Sequence, residues 1–266
     1  MMRRLTLRRE VRFAGRGLHS GVPVDVVIAP AENGIHFKHQ THTVQAIPEN
    51  VTDTKRCTRL GEISTVEHLM SAFAGLEITD AEVTLTAPEL PALDGSSAEY
   101  VEALTAAGLE ELPEQDQDEL FTRVFHQQED IKIAISRGSG RWSYRYNTGE
   151  RWPHEMMFES EDVVAEYAAQ IASARTFALS EEVPIALQAG LGKGLDESSV
   201  LILGSSGYEG PARFAEEPAR HKLLDLMGDL YLSGIPVRHL NVTAERSGHA
   251  SNVKAAAMLR QAIFGP

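Results

Sequence analysis

Cysteine and long apolar runs are both scarce in this chain. Its 266 residues include one cysteine, Cys57, which cannot form a disulfide within the chain, so a disulfide-braced secreted framework is excluded. No apolar run approaches the roughly 18 residues that a membrane span requires. The basic residues at positions 1–9 are followed by further charges rather than by the apolar core of a signal peptide. We therefore expect a cytoplasmic protein without stable membrane insertion.

Positive charge is also in short supply. The chain carries 25 Lys and Arg residues against 38 Asp and Glu residues, a formal net charge of -13. Attraction to nucleic acid or to an anionic membrane surface needs clustered positive charge, so no nucleic-acid partner is expected. A phosphate-bearing ligand would have to be met by a local basic pocket. The hydrophobic content of 42% is sufficient for one large domain or two compact ones.

Alternating apolar residues in the first half of the chain predict strands with one buried face. The pattern is clear at residues 5–13, 22–26 and 83–85. The acidic, turn-prone stretch 113–119 is the best candidate for a linker. The sequence therefore predicts an α+β protein with one domain over residues 1–115 and a second over residues 116–266.

Two segments, 64–104 and 218–258, both read as helix, strand, loop and helix. His68 precedes Gly95 by 95 − 68 = 27 positions, and His221 precedes Gly248 by 248 − 221 = 27 positions. A shared spacing of this kind indicates a duplicated unit. Two similar domains would place the two histidines at equivalent positions, so we predict paired helices that face each other and a site between the domains.

The second of these segments opens with a predicted helix that divides sharply into two faces. Pro218 suits its first turn and Gly234 the position after its end. At about 100° per residue, one side is apolar and the other carries His221, Asp225 and Asp229. The i, i+4 spacing puts His221 and Asp225 side by side, as in helices that supply two ligands to one zinc ion. A solvated polar face explains the same spacing, and the spacing alone leaves both interpretations open.

Glu67 and His68 are adjacent near the start of another predicted helix. A metal ligand beside a carboxylate that is not itself a ligand suits metal-assisted hydrolysis, because the ion lowers the pKa of its water and the carboxylate takes the proton. The pattern Ser64-x-x-Glu67 is equally a capping box, in which Glu67 only satisfies a backbone amide. Neither interpretation is excluded by the sequence.

Other candidate ligands are weaker. His36, His39 and His42 are spaced by three in a predicted strand, which sends successive side chains to opposite faces, so we expect them at the surface. The glycine-rich segment 190–194 lacks the spacing of a phosphate-binding loop and the Ser or Thr after its lysine.

Six motifs occur in order along nearly the whole chain. They are Gly17-Leu18-His19-Ser20-Gly21, Ser64-Thr65-Val66-Glu67-His68-Leu69, Asp94-Gly95-Ser96, Ala174-Arg175-Thr176-Phe177, Arg220-His221-Lys222-Leu223-Leu224-Asp225 and Ser247-Gly248-His249-Ala250. Together they resemble the family of UDP-3-O-acyl-N-acetylglucosamine deacetylases, zinc-dependent enzymes of lipid A biosynthesis. The resemblance implies two α+β domains, each a sheet packed against a pair of helices, with the zinc site at the domain junction.

The resemblance also implies roles for particular residues. It implies that Zn²⁺ is bound by His68, His221 and Asp225, and that Glu67 is the general base that activates a water molecule. The reaction so implied is hydrolysis of the N-acetyl group of a nucleotide sugar that carries an acyl chain, with release of acetate and no redox cofactor. A monomer is expected.

Further roles follow from the same resemblance. His249 would stabilise the oxyanion and protonate the leaving amine, and Asp229 would orient His249 and keep it protonated. Thr176 would donate a hydrogen bond to the oxyanion. The implied substrate contacts are Phe177, Lys222 and His19.

The chain departs from the family pattern in one region. Aromatic residues and a proline stand in place of the usual Asp-His-Pro region, namely Trp142, Tyr144, Tyr146, Trp152 and Pro153. An insert around residues 171–196 would form the passage for the acyl chain, and we expect the departures to affect acyl-chain length without touching the catalytic residues. Two alternatives stay open: a zinc deacetylase acting on a different N-acetylated amino sugar, and a catalytically inactive binding homologue. The presence of Glu67, His249 and Asp229 argues against the inactive homologue.

Overall fold

Two five-stranded sheets with associated helices carry the fold. The structure is a computed structural model that describes residues 2–115 and 123–265. The strands are β1 (Met2–Leu7), β2 (Val11–Arg16), β3 (Pro23–Pro30), β4 (Ile35–His39), β5 (His42–Gln45), β6 (Val51–Asp53), β7 (Arg59–Leu60), β8 (Ala81–Leu85), β9 (Leu109–Gln115), β10 (Arg123–Gln128), β11 (Ile131–Arg137), β12 (Trp142–Asn147), β13 (Glu155–Ser160), β14 (Phe177–Leu179), β15 (Leu201–Leu203), β16 (Tyr208–Glu209) and β17 (Leu240–Glu245). The helices are α1 (Glu67–Leu76), α2 (Ala98–Ala107), α3 (Val163–Glu166), α4 (Val183–Gln188), α5 (Glu217–Tyr231) and α6 (His249–Phe264).

The two large sheets have the same strand order. It is β2-β3-β8-β4-β5 in the first sheet and β10-β11-β17-β12-β13 in the second. The middle strand of each sheet pairs antiparallel with one neighbour and parallel with the other. It is also flanked in the chain by two helices, α1 and α2 in the first half and α5 and α6 in the second. The prediction of an α+β protein with two similar domains is therefore confirmed.

The stretch between the two sheets differs in part from its prediction. Residues 113–115 of the predicted linker belong to β9, which pairs antiparallel with β1. That pairing gives the backbone groups of both strands partners that an open linker would lack. The predicted boundary between residues 115 and 116 adjoins residues 116–122, which lie outside the described residues, so the division into 1–115 and 116–266 stays a prediction.

Helices α1 and α5 pack directly against each other. Gly228 permits the close approach, because a Cβ at that position would overlap the carbonyl oxygen of Glu67 and lie 3.0 Å from the backbone nitrogen of Ser71. Side chains cannot interpenetrate in a close-packed interior. The absence of a side chain at Gly228 thus brings the first turn of α1 against the middle of α5.

The predicted insert of residues 171–196 lies in the chain between β13 and α5. It contains β14 and α4, and β14 pairs parallel with β15 in a small three-stranded sheet. No residue of α4 is buried, and the side chains of Ile185 and Leu187 are exposed. The glycine-rich segment at the end of the insert is held by hydrogen bonds from the backbone amides of Lys193 and Gly194 to the carbonyls of His19 and Leu18.

One histidine differs from expectation. His39 is buried at the end of β4, and its Nδ1 donates a hydrogen bond to Glu62 Oε1 at 2.8 Å. Strand β4 points alternate residues, including Phe37 and His39, inward, and the Glu62 carboxylate makes burial of the imidazole tolerable. The prediction of a surface position is therefore wrong for His39.

Within residues 2–115 and 123–265, no helix combines the length and the apolar character needed to cross a bilayer.

Candidate metal centre and active site

Helix α5 supplies more polar residues to the site than α1 or α6 does. It begins at Glu217, with Pro218 in its first turn as predicted, and Gly234 follows its end with φ +78°. His221, Asp225 and Asp229 are all buried, each with less than 4% of its surface exposed. The interpretation of this stripe as a solvated face is therefore wrong, because the stripe packs toward α1 and not into water.

His68, from the first turn of α1, completes a cluster with His221 and Asp225. The Nε2 atom of His68 lies 3.6 Å from Asp225 Oδ1, and the Nε2 atom of His221 lies 3.5 Å from the same oxygen. One donor atom from each residue lies within 4.8 Å of the others. In the part of the chain that the structure describes, this is the group of His, Cys, Asp and Glu side chains that could hold a metal ion.

The chemistry of this donor set fits a cation. Asp225 Oδ1 is buried without a hydrogen-bond partner among the described residues, and a buried charged oxygen is costly unless a positive charge or a donor meets it. The Nδ1–H of His221 donates to the carbonyl of Ala174 at 3.0 Å, which leaves Nε2 as the unprotonated ligand nitrogen. Two imidazole nitrogens and a carboxylate are a common ligand set of catalytic zinc sites.

Electrostatics favour the deprotonated forms that a metal requires. Burial lowers the pKa of His221 to about 4, against the opposing effect of the Asp225 carboxylate. Burial alone would raise the pKa of Asp225, but His221 and Lys222 outweigh it and hold that pKa well below its usual range. Lys222 Nζ donates to Asp225 Oδ2 at 2.9 Å. At neutral pH the cluster therefore offers the neutral imidazole of His221 and the ionised carboxylate of Asp225.

Glu67 lies beside the cluster without belonging to it. Its Oε2 accepts a hydrogen bond from the backbone amide of Thr58 at 2.9 Å, and the backbone amide of Ser64 donates instead to Pro88. Helix α1 has no side-chain cap, so the capping-box interpretation of Glu67 is wrong. Burial raises the pKa of Glu67, although His249 and His68 oppose the increase. A carboxylate with a raised pKa is suited to accepting a proton.

His249, the first residue of α6, forms a second charged pair with Asp229. Its Nδ1–H donates to Asp229 Oδ2 at 3.0 Å. Burial would lower the pKa of His249, but the Asp229 carboxylate prevails and raises it to about 9. Asp229 also accepts hydrogen bonds from Thr58 Oγ1 at 2.5 Å and from Asn252 Nδ2 at 3.0 Å. His249 is therefore an imidazolium at neutral pH, and its Nε2 atom lies 4.0 Å from Asp225 Oδ2, the oxygen that Lys222 also contacts.

A cavity of about 300 Å³ opens onto these residues. Every residue for which the sequence predicts a role, except the buried Asp229, lines it; they are Glu67, His68, His221, Asp225, His249, Thr176, Phe177, Lys222 and His19. Neither ring nitrogen of His19 has a hydrogen-bond partner among the described residues, and burial lowers the pKa of His19. A larger cavity of about 470 Å³ near Tyr231 and Arg260 lacks any such cluster of ligand-type side chains.

Several residues at the site escape prediction from the sequence. Thr58 and Asn252 hold Asp229 from outside the motif segments that carry the site, and neither belongs to a spacing pattern. Tyr146 lines the cavity and packs edge-on against Phe177, with ring centroids 5.3 Å apart. The departure from the family pattern thus reaches the cavity at Tyr146, whose ring packs against the predicted substrate contact Phe177.

Known proteins resemble this chain over almost its whole length. Residues 4–261 match the LpxC family, described as UDP-3-O-acyl N-acetylglycosamine deacetylase. A UDP-3-O-acyl-N-acetylglucosamine deacetylase of Francisella tularensis subsp. tularensis is 31% identical over 99% of this chain and 97% of its own length. The enzyme of the same name from a Nostoc species is 34% identical over 96% of this chain and 97% of its own length.

A buried His-His-Asp cluster with a carboxylate base beside it, set between two duplicated domains, has the features of a metal-dependent hydrolase site. The chain belongs to the family of UDP-3-O-acyl N-acetylglycosamine deacetylases.

Proposed function

We propose that this protein hydrolyses the N-acetyl group of UDP-3-O-acyl-N-acetylglucosamine, releasing acetate and a free amine, as a zinc-dependent enzyme of lipid A biosynthesis. The observation that carries the proposal is the His68–His221–Asp225 cluster, which is accompanied by the buried carboxylate of Glu67 and the partly buried imidazolium of His249. Family membership supports the choice of substrate.

His68, His221 and Asp225 would hold the zinc ion. When bound, zinc would supply Lewis acidity, polarising the acetamide carbonyl and lowering the pKa of a water molecule. The orphaned Asp225 Oδ1 and the unprotonated Nε2 of His221 are the atoms that fit such an ion.

Glu67 takes the proton from the attacking water. Its Oε2 is fixed by the Thr58 amide, so the carboxylate keeps one orientation throughout the reaction. The raised pKa that burial gives Glu67 makes it a stronger base than an exposed carboxylate, which is the tuning expected of a general base near neutral pH.

His249 carries a positive charge, opposite to that of the Glu67 carboxylate. As an imidazolium held by Asp229, it stabilises the negative charge that develops on the acetamide oxygen and then gives its Nε2 proton to the leaving amine. The Thr176 hydroxyl, on the cavity wall, adds a hydrogen bond to the same oxygen.

Substrate contacts come from the remaining cavity residues. Lys222 provides a cation for a phosphate-bearing ligand in a chain of net charge -13. Phe177 offers an apolar face, and Lys222 Nζ lies 5.6 Å from its ring centroid. His19 contributes an imidazole to the cavity wall. The insert of residues 171–196, whose strand β14 carries Phe177, would guide the acyl chain.

The direct test is acetate release by zinc-loaded protein from UDP-N-acetylglucosamine with and without a 3-O-acyl group. We expect turnover of the acylated compound and much slower turnover of the other. Equal rates on both would move the activity to N-acetylated amino sugars in general. Absence of turnover on either would contradict the proposal.

A further inference from the structure

A buried ion pair joins Arg175 to Glu217 close to the metal-ligand cluster. Neither residue takes part in the proposed reaction. The guanidinium Nε of Arg175 donates to Glu217 Oε1 at 2.9 Å and its Nη2 to Oε2 at 3.2 Å. The Glu217 side chain is 0% exposed and that of Arg175 6%. Burying two charges this completely is costly unless nearly all of their hydrogen-bond donors and acceptors have partners. The environment of the pair should therefore supply those partners.

The compensation is extensive and reaches three separate segments. Glu217 also accepts from the backbone amides of Arg175 at 3.0 Å and Arg213 at 2.6 Å. The Arg175 guanidinium also donates hydrogen bonds to the carbonyls of Ser198 at 3.2 Å and Pro211 at 2.8 Å. The pair thus fastens the segment around Arg175 to the first turn of α5 and to the two loops that flank the small sheet.

The position of the pair in the chain links it to the cluster at both ends. Glu217 is four residues before His221 on α5, so the two lie one helical turn apart. Arg175 follows Ala174, whose carbonyl accepts the Nδ1–H of His221, and precedes Thr176, whose backbone amide donates to Gly95 at 2.7 Å. The carboxylate that holds the Arg175 backbone therefore also fixes the carbonyl that orients the His221 ring.

We propose that Arg175 and Glu217 are positioning residues that set the tautomer and ring orientation of His221, and through them the affinity of the site for its metal ion. A second partner on a ligand histidine commonly changes metal affinity or activity by about 10- to 100-fold when it is lost. Here the partner is the Ala174 carbonyl, and the ion pair is what holds that carbonyl in place.

A matched pair elsewhere in the chain provides the control. Arg4 contacts both oxygens of Asp80, whose side chain is 1% exposed, and the backbone amide of Gly34 donates to the same carboxylate at 2.7 Å. Asp80 lines the larger cavity and not the one that holds the cluster. Loss of either carboxylate removes one buried, forked ion pair, but only Glu217 is connected to a cluster residue.

The experiment compares Glu217→Gln and Asp80→Asn with the native protein by zinc titration against a fluorescent chelator, with stability measured on the same samples. We expect both variants to lose stability, and only Glu217→Gln to bind zinc about 10- to 100-fold more weakly. Native zinc affinity in Glu217→Gln, or equal weakening in both variants, would overturn the proposal.

Two further measurements keep the test decisive. Should Glu217→Gln not fold, Arg175→Lys retains the charge but loses the planar fork, and the same weakening of zinc binding is expected. In zinc-free protein, histidine ¹⁵N NMR should show His221 protonated at Nδ1 in the native chain and a mixture of tautomers in either variant; an unchanged tautomer contradicts the proposal. Because the inference rests on the proposed function, a native protein that binds no zinc would contradict that function, and the tautomer signal alone would then decide on the ion pair.

Discussion

The two duplicated domains place equivalent helices at the site but use them differently. Helix α1 contributes Glu67 and His68, its first two residues, and the rest of its buried residues are apolar apart from Ser71. Helix α5 contributes His221, Asp225 and Asp229, spaced over two turns in its middle. The duplicated topology accounts for the meeting of the two helices at Gly228, whereas the difference in polar residues accounts for the chemistry. The duplicated fold brings the two helices together, and α5 carries two of the three candidate ligands.

The largest effect is expected where α5 has diverged most from α1. Asp225→Ala removes the carboxylate that both imidazoles share, at 3.5 Å and 3.6 Å from their Nε2 atoms, so bound zinc and acetate release should both fall to near zero. Metal analysis of the purified variant checks this. A stoichiometric metal content in Asp225→Ala would remove that residue from the ligand set.

Loss of the carboxylate that α1 contributes should separate metal binding from catalysis. Glu67→Gln keeps the size of the side chain and leaves the three ligands intact, so zinc content should stay as in the native protein while kcat falls by about 10²- to 10⁴-fold. Parallel metal analysis and steady-state kinetics measure the two quantities. Loss of zinc in Glu67→Gln to the same degree as in Asp225→Ala would show that α1 contributes a further ligand and not a base.

A smaller effect is expected on pH dependence. His249 has its pKa raised to about 9 by Asp229, so the native rate should fall as pH rises through about 9, where the imidazolium loses its proton. Asp229→Asn removes the negative charge that favours the imidazolium. The alkaline limb of kcat/KM should therefore move to lower pH, and an alkaline limb that stays in place would contradict the role of the His249–Asp229 pair.

The smallest effect is expected on protein stability, from a change at the contact between α1 and α5. Gly228→Ala adds a methyl group against the Glu67 carbonyl and should lower the free energy of unfolding by about 1–3 kcal/mol. Gly207→Ala adds the same group where nothing lies within 4 Å. Denaturant titration of both variants compares them, and equal stability would show that α1 and α5 can separate without cost.

The helical spacing of polar residues was enough to predict much of this site. The i, i+4 pair on α5 and the 27-residue repeat predicted facing helices, and the structure brings the predicted residues together around one cavity. Whether they bind metal and act as assigned stays a prediction. Spacing could not distinguish a ligand stripe from a solvated face, because both have the same period; burial against α1 decides between them.

Contacts between residues that are far apart in the chain could not be predicted from the sequence. Thr58 reaches Asp229 across 171 positions, and Glu217 reaches Arg175 across 42, and neither pairing has a local periodicity. The prediction that His39 lies at the surface was wrong for a related reason, because its burial depends on Glu62, 23 positions away. Local patterns predict faces of elements, whereas partners across the fold depend on how those elements pack.

The most direct test measures metal content and acetate release on one purified sample, with UDP-3-O-acyl-N-acetylglucosamine as substrate, before and after chelation and again after zinc is restored. We expect about one metal ion per chain, loss of acetate release with the chelator, and its return with zinc. Deacetylation that persists without bound metal would contradict the central role of His68, His221 and Asp225.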